Sequence, residues 1–395
     1  MGLLVDGVWQ DDISRTKDGH FIRPTTKFRN WVTPDGSPGP SGEGDFAAEA
    51  GRYHLYVSLA CPWAHRTIIF RKLKALENVV SMSIVSPDML KDGWTFNVSQ
   101  GSTGDSVNGK SKLSEIYLLA EPRYTGRVSV PVLWDKKRKT IVNNESPEII
   151  RMLNSAFDAF TNVRTDYYPE PLRAQIDKFN DLTYPNINNG VYRAGFATSQ
   201  AAYEQAFRNV FDTLEEIEQV LSQHRYLVGN TITEADWRLF CTLIRFDAVY
   251  YSHFKCNWRH IYEYPNLSNY LRDLYQVPGV AETVSIEQIK RHYYGSQRQV
   301  NPTGIVPVGP QLDFAAPHDR GRLARNLHQN SLTGALPNTS ATRARVPRPV
   351  SSGNELGWKN PCATISRLGR GSPSWRKSRT MNMATWSRRE VLLFR

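Results

Sequence analysis

Cysteine is scarce in this chain, four in 395 residues at positions 61, 241, 256 and 362, with no pairing pattern in their spacing. That excludes a disulfide-built secreted scaffold and points to a reducing, intracellular compartment. No apolar run reaches the roughly 18 residues a membrane helix needs. The opening Met1-Gly2-Leu3-Leu4-Val5-Asp6 forms neither a signal-like segment nor a myristoylation site, which wants Ser or Thr at its end. A soluble, cytoplasmic protein with no membrane partner is expected. Ligand spacing is missing among the nine histidines, and no glycine-rich phosphate loop is present, so no metal is expected.

A general charge surplus is lacking too. The formal charge is +11, which would suggest nucleic acid or an acidic surface if it were spread over the fold. Residues 311–395 hold 15 Lys and Arg against 4 Asp and Glu, leaving 34 of each sign before them. The body is neutral, and nucleic acid is not an expected partner. Residues 315–395 are rich in Arg, Ser, Pro and Asn without a sustained period, and are expected to form a disordered basic tail. Such a tail either binds polyanions or is an unstructured extension, a misassembled reading frame included.

What the chain does have is a short apolar run at 53–59, which reads as a buried strand, followed by Cys61-Pro62 and an amphipathic helical segment carrying Ile68, Ile69, Phe70, Leu73 and Leu76. Proline suits the first turn of a helix, where its missing N–H would be unpaired anyway, so Cys61 falls at or beside the N-cap. Free N–H groups and the positive end of the helix dipole favour a thiolate there. His65 and Arg66, one turn on, are placed to add to the positive field. A two-cysteine redox site needs its second thiol at position 64, and that residue is Ala64. Any disulfide formed by Cys61 then has to be resolved by an outside thiol. The competing reading is an inert, buried cysteine.

Around this centre the elements fall in a clear order. Residues 1–50 carry Gly, Pro, Asp and Ser clusters and read as an irregular lead-in; within it Phe28 and Arg29 either cover a core edge or reach the active site. Residues 51–160 read as strand, helix, strand (79–85), a long polar insertion (86–112) around Trp94, a helix at 113–120, two strands at 128–134 and 139–142, and a helix capped by Ser146 with Pro147 at its first position. This is a thioredoxin-like layout, in which Val130-Pro131 lies opposite Cys61. Residues 165–312 read as an all-helical domain with an extended Pro/Gly ending. Tyr203, Phe207, Val210, Phe211, Leu214, Ile217 and Leu221 mark one buried face. Thr233 and Asp236 resemble a capping box, and Cys241 reads as core. The stretch Tyr184-Pro185-Asn186-Ile187-Asn188-Asn189-Gly190-Val191-Tyr192 breaks the helical pattern at a cost that some other purpose must justify. Tyr293 and Tyr294 are either core or substrate-facing.

Taken together, Cys61-Pro62-Trp63-Ala64-His65-Arg66-Thr67, Gly93-Trp94, the Arg127 to Trp134 run, Asn143-Asn144-Glu145-Ser146, the Tyr184 to Tyr192 stretch, Thr233-Glu234-Ala235-Asp236-Trp237 and His292-Tyr293-Tyr294 resemble the glutathionyl-hydroquinone reductases, the Xi class of glutathione transferases. The resemblance runs from about residue 21 to 310, and the stretch after Asp313 departs from it. It implies an α/β thioredoxin-like domain holding glutathione, an all-α domain supplying a hydroquinone pocket, a homodimer and a cis bond before Pro131. It also implies that Cys61 is the nucleophile, that Trp94, Arg127, Val130, Glu145 and Ser146 bind glutathione, and that Tyr184 and Tyr293 act on the hydroquinone, with Tyr192 in its pocket. The implied cycle passes through a Cys61–glutathione mixed disulfide and releases oxidised glutathione. An Omega-like thiol transferase or dehydroascorbate reductase shares the cysteine and the two domains; a non-catalytic interaction module shares the fold alone.

Overall fold

The structure, a computed structural model, describes residues 2–11 and 16–323. Of the irregular lead-in expected for residues 1–50, the stretch after Phe21 holds no strand or helix, but the start folds into two hairpins: β1 (Leu3–Val5) pairs with β2 (Val8–Gln10), and β3 (Thr16–Lys17) with β4 (His20–Phe21). Both turn on an Asp-Gly pair, with φ of 49° and 79° at Asp6 and Gly7 and of 52° and 80° at Asp18 and Gly19. Two consecutive positive φ angles match the right-handed twist of the strands, and Asp-Gly is the pair that tolerates them.

A four-stranded sheet follows. It contains β5 (Tyr53–Val57), β6 (Ser81–Ile84), β8 (Val132–Asp135) and β9 (Thr140–Asn143), in the order β6-β5-β8-β9. β5 runs parallel to β6 and antiparallel to β8, which runs antiparallel to β9. Every residue of β5 and β8 is buried, as befits central strands covered on both faces, His54 and Asp135 being the polar members. β7 (Gly126–Arg127) belongs to a separate small sheet, paired with β1. The strand expected at 128–134 is realised only as β8, which begins after the cis Val130-Pro131 bond. α1 (Pro62–Leu73) and α3 (Ser146–Ser155) pack together, and α2 (Leu113–Ala120) packs by β9. The insertion at 86–112 is built in: Thr103 N–H donates to Ile84 O at 3.0 Å and Leu113 N–H to Trp94 O at 2.9 Å. Phe28 stacks on Tyr124 and Arg29 pairs with Glu148, so both cover a core edge.

The helical domain contains α4 (Arg173–Thr183), α5 (Gly190–Gly195), α6 (Gln200–Gln223), α7 (Glu234–Arg245), α8 (Pro265–Tyr275) and α9 (Ile286–Ser296). On α6 the stripe Val210, Phe211, Leu214, Ile217 and Leu221 is buried, each such side chain contributing about 1.5–3 kcal/mol as an upper estimate. The capping box is present, Asp236 Oδ2 accepting from Thr233 N–H at 2.8 Å, and Cys241 is core. Two departures from the sequence reading matter for the site. α4 does not break at Tyr184 but widens into a π-helical turn, Tyr184–Asn188, and α7 does the same at Phe246–Tyr250. In addition, residues 315–323 are ordered, because Arg320 is buried against the end of α6 and donates to Leu221 O at 2.7 Å. The remainder of the expected tail, residues 324–395, lies outside the described residues.

Candidate active site

Cys61 stands as N-cap of α1, with Pro62 at the first helical position. Across from it Val130 presents its carbonyl 3.6 Å from Cys61 Sγ. Burial pushes the thiol up from its ordinary value, opposed by the N–H groups of Ala64 and Trp63 and by the charges of Arg23 and Arg245. The helix start thus acts in the expected direction but does not outweigh burial, because loss of solvent penalises the thiolate more than two backbone dipoles favour it. The rest of the expected positive field is also revised. His65 is neutral, held well below the usual histidine range by burial and by Arg245. Arg66 turns to Ser146 Oγ (3.3 Å) and lies over the Trp63 ring, and burial pulls its guanidinium down to about 9. The cations that face the thiol, Arg23 and Arg245, were passed over in the sequence. Arg245 is visible there as a charge ending an otherwise apolar stretch.

One cavity is lined by Cys61, Trp94, Arg127, Val130, Tyr192 and Tyr293. Arg127 reaches it from β7, fixed by the pairing of Leu3 with Arg127; burial and Arg23 pull its guanidinium down from the ordinary value. Trp94 reaches it from a turn at Gly93, where φ is +66° and an added Cβ would come within 2.7 Å of the Trp9 indole. Trp9 Nε1 in turn donates to Lys91 O at 2.8 Å, so the β1/β2 hairpin clamps this turn. The Trp94 ring stacks on His292, centroids 4.8 Å apart and planes at 19°. His292 Nδ1 meets Pro87 O at 2.9 Å; a carbonyl only accepts, so Nδ1 carries the proton and Nε2 keeps its lone pair. Burial lowers this imidazole to about 4, leaving it neutral.

Three phenols meet at the helical wall. The Tyr293 hydroxyl bonds that of Tyr192 and lies 3.0 Å from that of Tyr250. Burial pushes Tyr192 up to about 12 and the other two well above their ordinary value, so all three stay protonated donors at neutral pH. Tyr250 was not singled out in the sequence, and nothing local marks it, since the π turn that delivers it has no period of its own. Tyr294 turns away to Ser252.

Tyr184, Glu145 and Ser146 are not among the cavity's lining residues. Tyr184 is 36% exposed, its ring 5.9 Å from that of Trp63, because the inward side of the π turn is taken by the buried Ile187 and Asn188. Of the tyrosines the resemblance implies, Tyr192 and Tyr293 meet at the cavity, and Tyr184 packs on Trp63 outside its lining. Glu145, not Ser146, is the N-cap of α3, because Asn143 Oδ1 takes the Glu145 N–H at 2.7 Å. Glu145 Oε1 accepts from Thr26 Oγ1 at 2.7 Å, and Thr26 lines the cavity, so this carboxylate reaches the wall through the N-terminal strap. Among the described residues no group of three or more His, Cys, Asp or Glu is placed to hold a metal, and no helix is long and apolar enough to cross a membrane.

A thioredoxin-like domain with its nucleophile candidate at the first helix, backed by an all-helical domain that walls an aromatic cavity, defines the glutathione transferases. The family model of the glutathione S-transferase N-terminal domain matches residues 60–156 and that of the C-terminal domain residues 200–273. The chain is 57% identical over 323 residues to glutathionyl-hydroquinone reductase YqjG of Escherichia coli, covering 81% of this chain and 98% of that protein. It is 51% identical over 312 residues to glutathionyl-hydroquinone reductase PcpF of Sphingobium chlorophenolicum, covering 78% and 96%. Among solved structures, glutathione-bound YqjG superposes with a TM-score of 0.76 at 55% identity (81% of this chain, 99% of that one), and the Xi class transferase of Natrialba magadii with 0.75 at 49% (82% and 97%). The chain belongs to the Xi class of glutathione transferases, the glutathionyl-hydroquinone reductases.

Proposed function

We propose that the chain uses glutathione to reduce glutathionyl-hydroquinones to hydroquinones, with Cys61 as nucleophile. The Cys61 thiolate attacks the sulfur of the conjugate; the sulfur–carbon bond breaks, and the ring carbon takes a proton as the hydroquinone leaves. Glutathione remains on Cys61 as a mixed disulfide. A second glutathione thiolate attacks that disulfide, giving oxidised glutathione and the free Cys61 thiolate. One thiol sulfur and the thioether sulfur of the conjugate each give up one electron to become the disulfide, and the ring carbon takes that pair with a proton, so the electrons balance.

The roles follow the chemistry of each wall. The Val130 backbone pairs with the cysteinyl unit of glutathione as a strand would. Arg127 takes a ligand carboxylate, and Trp94 packs on the tripeptide. Glu145 and Ser146, at the start of α3, take the γ-glutamyl ammonium and α-carboxylate. Tyr293 donates to the hydroquinone oxygen on which charge develops, and Tyr192, hydrogen-bonded to it, lines the pocket. Tyr184 packs against Trp63, which lines the pocket, and acts on the hydroquinone through that ring. The protein works as a homodimer in the cytoplasm, whose glutathione pool supplies the second thiol.

The observation that carries this reading is that, among the described residues, Cys61 is the cysteine at the cavity, whereas Cys241 and Cys256 are buried in the core. Release of hydroquinone from a glutathionyl-hydroquinone, with oxidised glutathione as co-product, is the test. Cys61→Ala is expected to abolish it and Cys241→Ala to leave it in place; equal activity in the two variants overturns the assignment.

A further inference from the structure

Cys61 as nucleophile leaves a physical problem, since burial raises its thiol and its own helix does not supply enough positive charge to reverse that. Arg245, the last residue of α7, is fully buried, and its hydrogen-bond partners are all neutral. Nε donates to Ala60 O at 2.9 Å and Nη2 to Leu59 O at 3.0 Å, the two carbonyls that precede Cys61. Nη1 donates to Cys241 O at 2.7 Å and to His65 Nδ1 at 3.0 Å. A guanidinium only donates, so His65 Nδ1 is the acceptor and Nε2 carries the proton. That proton points to Thr283 Oγ1 at 2.8 Å, and Thr283 gives its own to Val280 O at 2.6 Å. Every direction in the chain is fixed, and its histidine is locked neutral.

A buried cation without a counter-ion is unfavourable by several kcal/mol. A thiolate at Cys61 would be that counter-ion. We propose that Arg245 is a positioning residue that activates Cys61 from the opposite domain: it clamps the Leu59 and Ala60 carbonyls and supplies the positive charge that a Cys61 thiolate neutralises. The other titratable or charged groups facing the thiol are Arg23 from the N-terminal strap, whose charge acts on it ahead of that of Arg245, Arg127 from β7, Tyr192 from α5, His292 and Tyr293 from α9, and Cys241 from α7. Arg23 is exposed and Arg127 half-buried, so solvent screens both; His292, Tyr192 and Tyr293 stay neutral and Cys241 is pushed up to about 12, so Arg245 is the fully buried cation of the set. Activation then requires the helical domain to be docked.

The proposal rests on Cys61 being the nucleophile, so its test is kept apart from turnover. The rate at which iodoacetamide alkylates Cys61 is followed against pH in the full chain, the site being identified by peptide mass. Arg245→Gln is expected to move the midpoint up by about one pH unit and to slow alkylation at pH 7 about tenfold, while Arg245→Lys stays near the unaltered protein. An unchanged midpoint in folded Arg245→Gln, or an equal shift in Arg245→Lys, overturns the proposal. Failure of both variants to fold overturns it as well, by making Arg245 a scaffold residue. Failure of the nucleophile reading would show separately, as hydroquinone release surviving Cys61→Ala.

Discussion

Tyr293 occupies the middle of the phenol chain, in contact with both Tyr192 and Tyr250. A phenol that accepts one hydrogen bond donates the next more strongly, so wherever Tyr250 is the donor of the pair it acts on the substrate side through Tyr293. If these hydroxyls stabilise charge on the departing hydroquinone, removing the central one costs transition-state binding and leaves glutathione binding alone. Tyr293→Phe is expected to lower kcat about 10- to 100-fold, roughly 1.4–3 kcal/mol, with KM for glutathione unchanged. Tyr250→Phe is expected to lower it less. Steady-state kinetics on both variants is the check, and a larger loss in Tyr250→Phe would mean that the order of the chain is wrong.

At the scale of elements, the first hairpin is what holds Trp94 at the cavity. Gly93 has no room for a side chain beneath Trp9, and its φ of +66° is strained for any L residue but glycine. Gly93→Val should push the β1/β2 hairpin off the turn and tilt Trp94 away from His292. The expected result is a KM for glutathione raised about tenfold, with kcat changed far less, since none of the reacting groups moves. The same elements show what the sequence makes readable. α2 was expected at 113–120 and runs over Leu113–Ala120, and Cys61-Pro62 was read as a helix start, because capping and periodicity are local properties. The two Asp-Gly hairpins were equally local and were overlooked. The π turns were not readable, since Asn188 is held there by Thr242 Oγ1 at 2.8 Å, a contact spanning 54 residues. Arg245 stands out in the sequence as a charge ending an apolar stretch, but its place beside Cys61 does not, because its bond to Ala60 joins residues 185 apart.

For the molecule as a whole, Arg320 ties the last described segment to the open end of α6, donating to Leu221 O at 2.7 Å, to Arg225 O at 2.8 Å and to His224 O. Cations are favoured at helix C-termini, and here the charge also fills carbonyls left without N–H partners. Ending the chain after residue 313 is therefore expected to lower Tm by several degrees, about 1–3 kcal/mol, without changing kcat per folded molecule; an unchanged Tm would mean the clamp contributes nothing.

Acid stability is set by buried imidazoles. His54, His253 and His292 are each lowered to about 4 by burial, and His65 lies well below its usual range. In the unfolded chain each would titrate near about 6.5, so between pH 6.5 and 4 the unfolded state binds protons that the folded state refuses. Their contribution to stability is complete above the unfolded value and is lost as pH falls, by roughly 3 kcal/mol for each group lowered to about 4. Asp236 and Asp247 are raised and act in the opposite sense, but they are two against four. Tm measured from pH 7.5 down to 5 is expected to fall steadily. His54→Gln, a change in β5 outside the cavity lining, is expected to flatten that fall. A Tm independent of pH over this range would show that these rings take up protons without the fold opening.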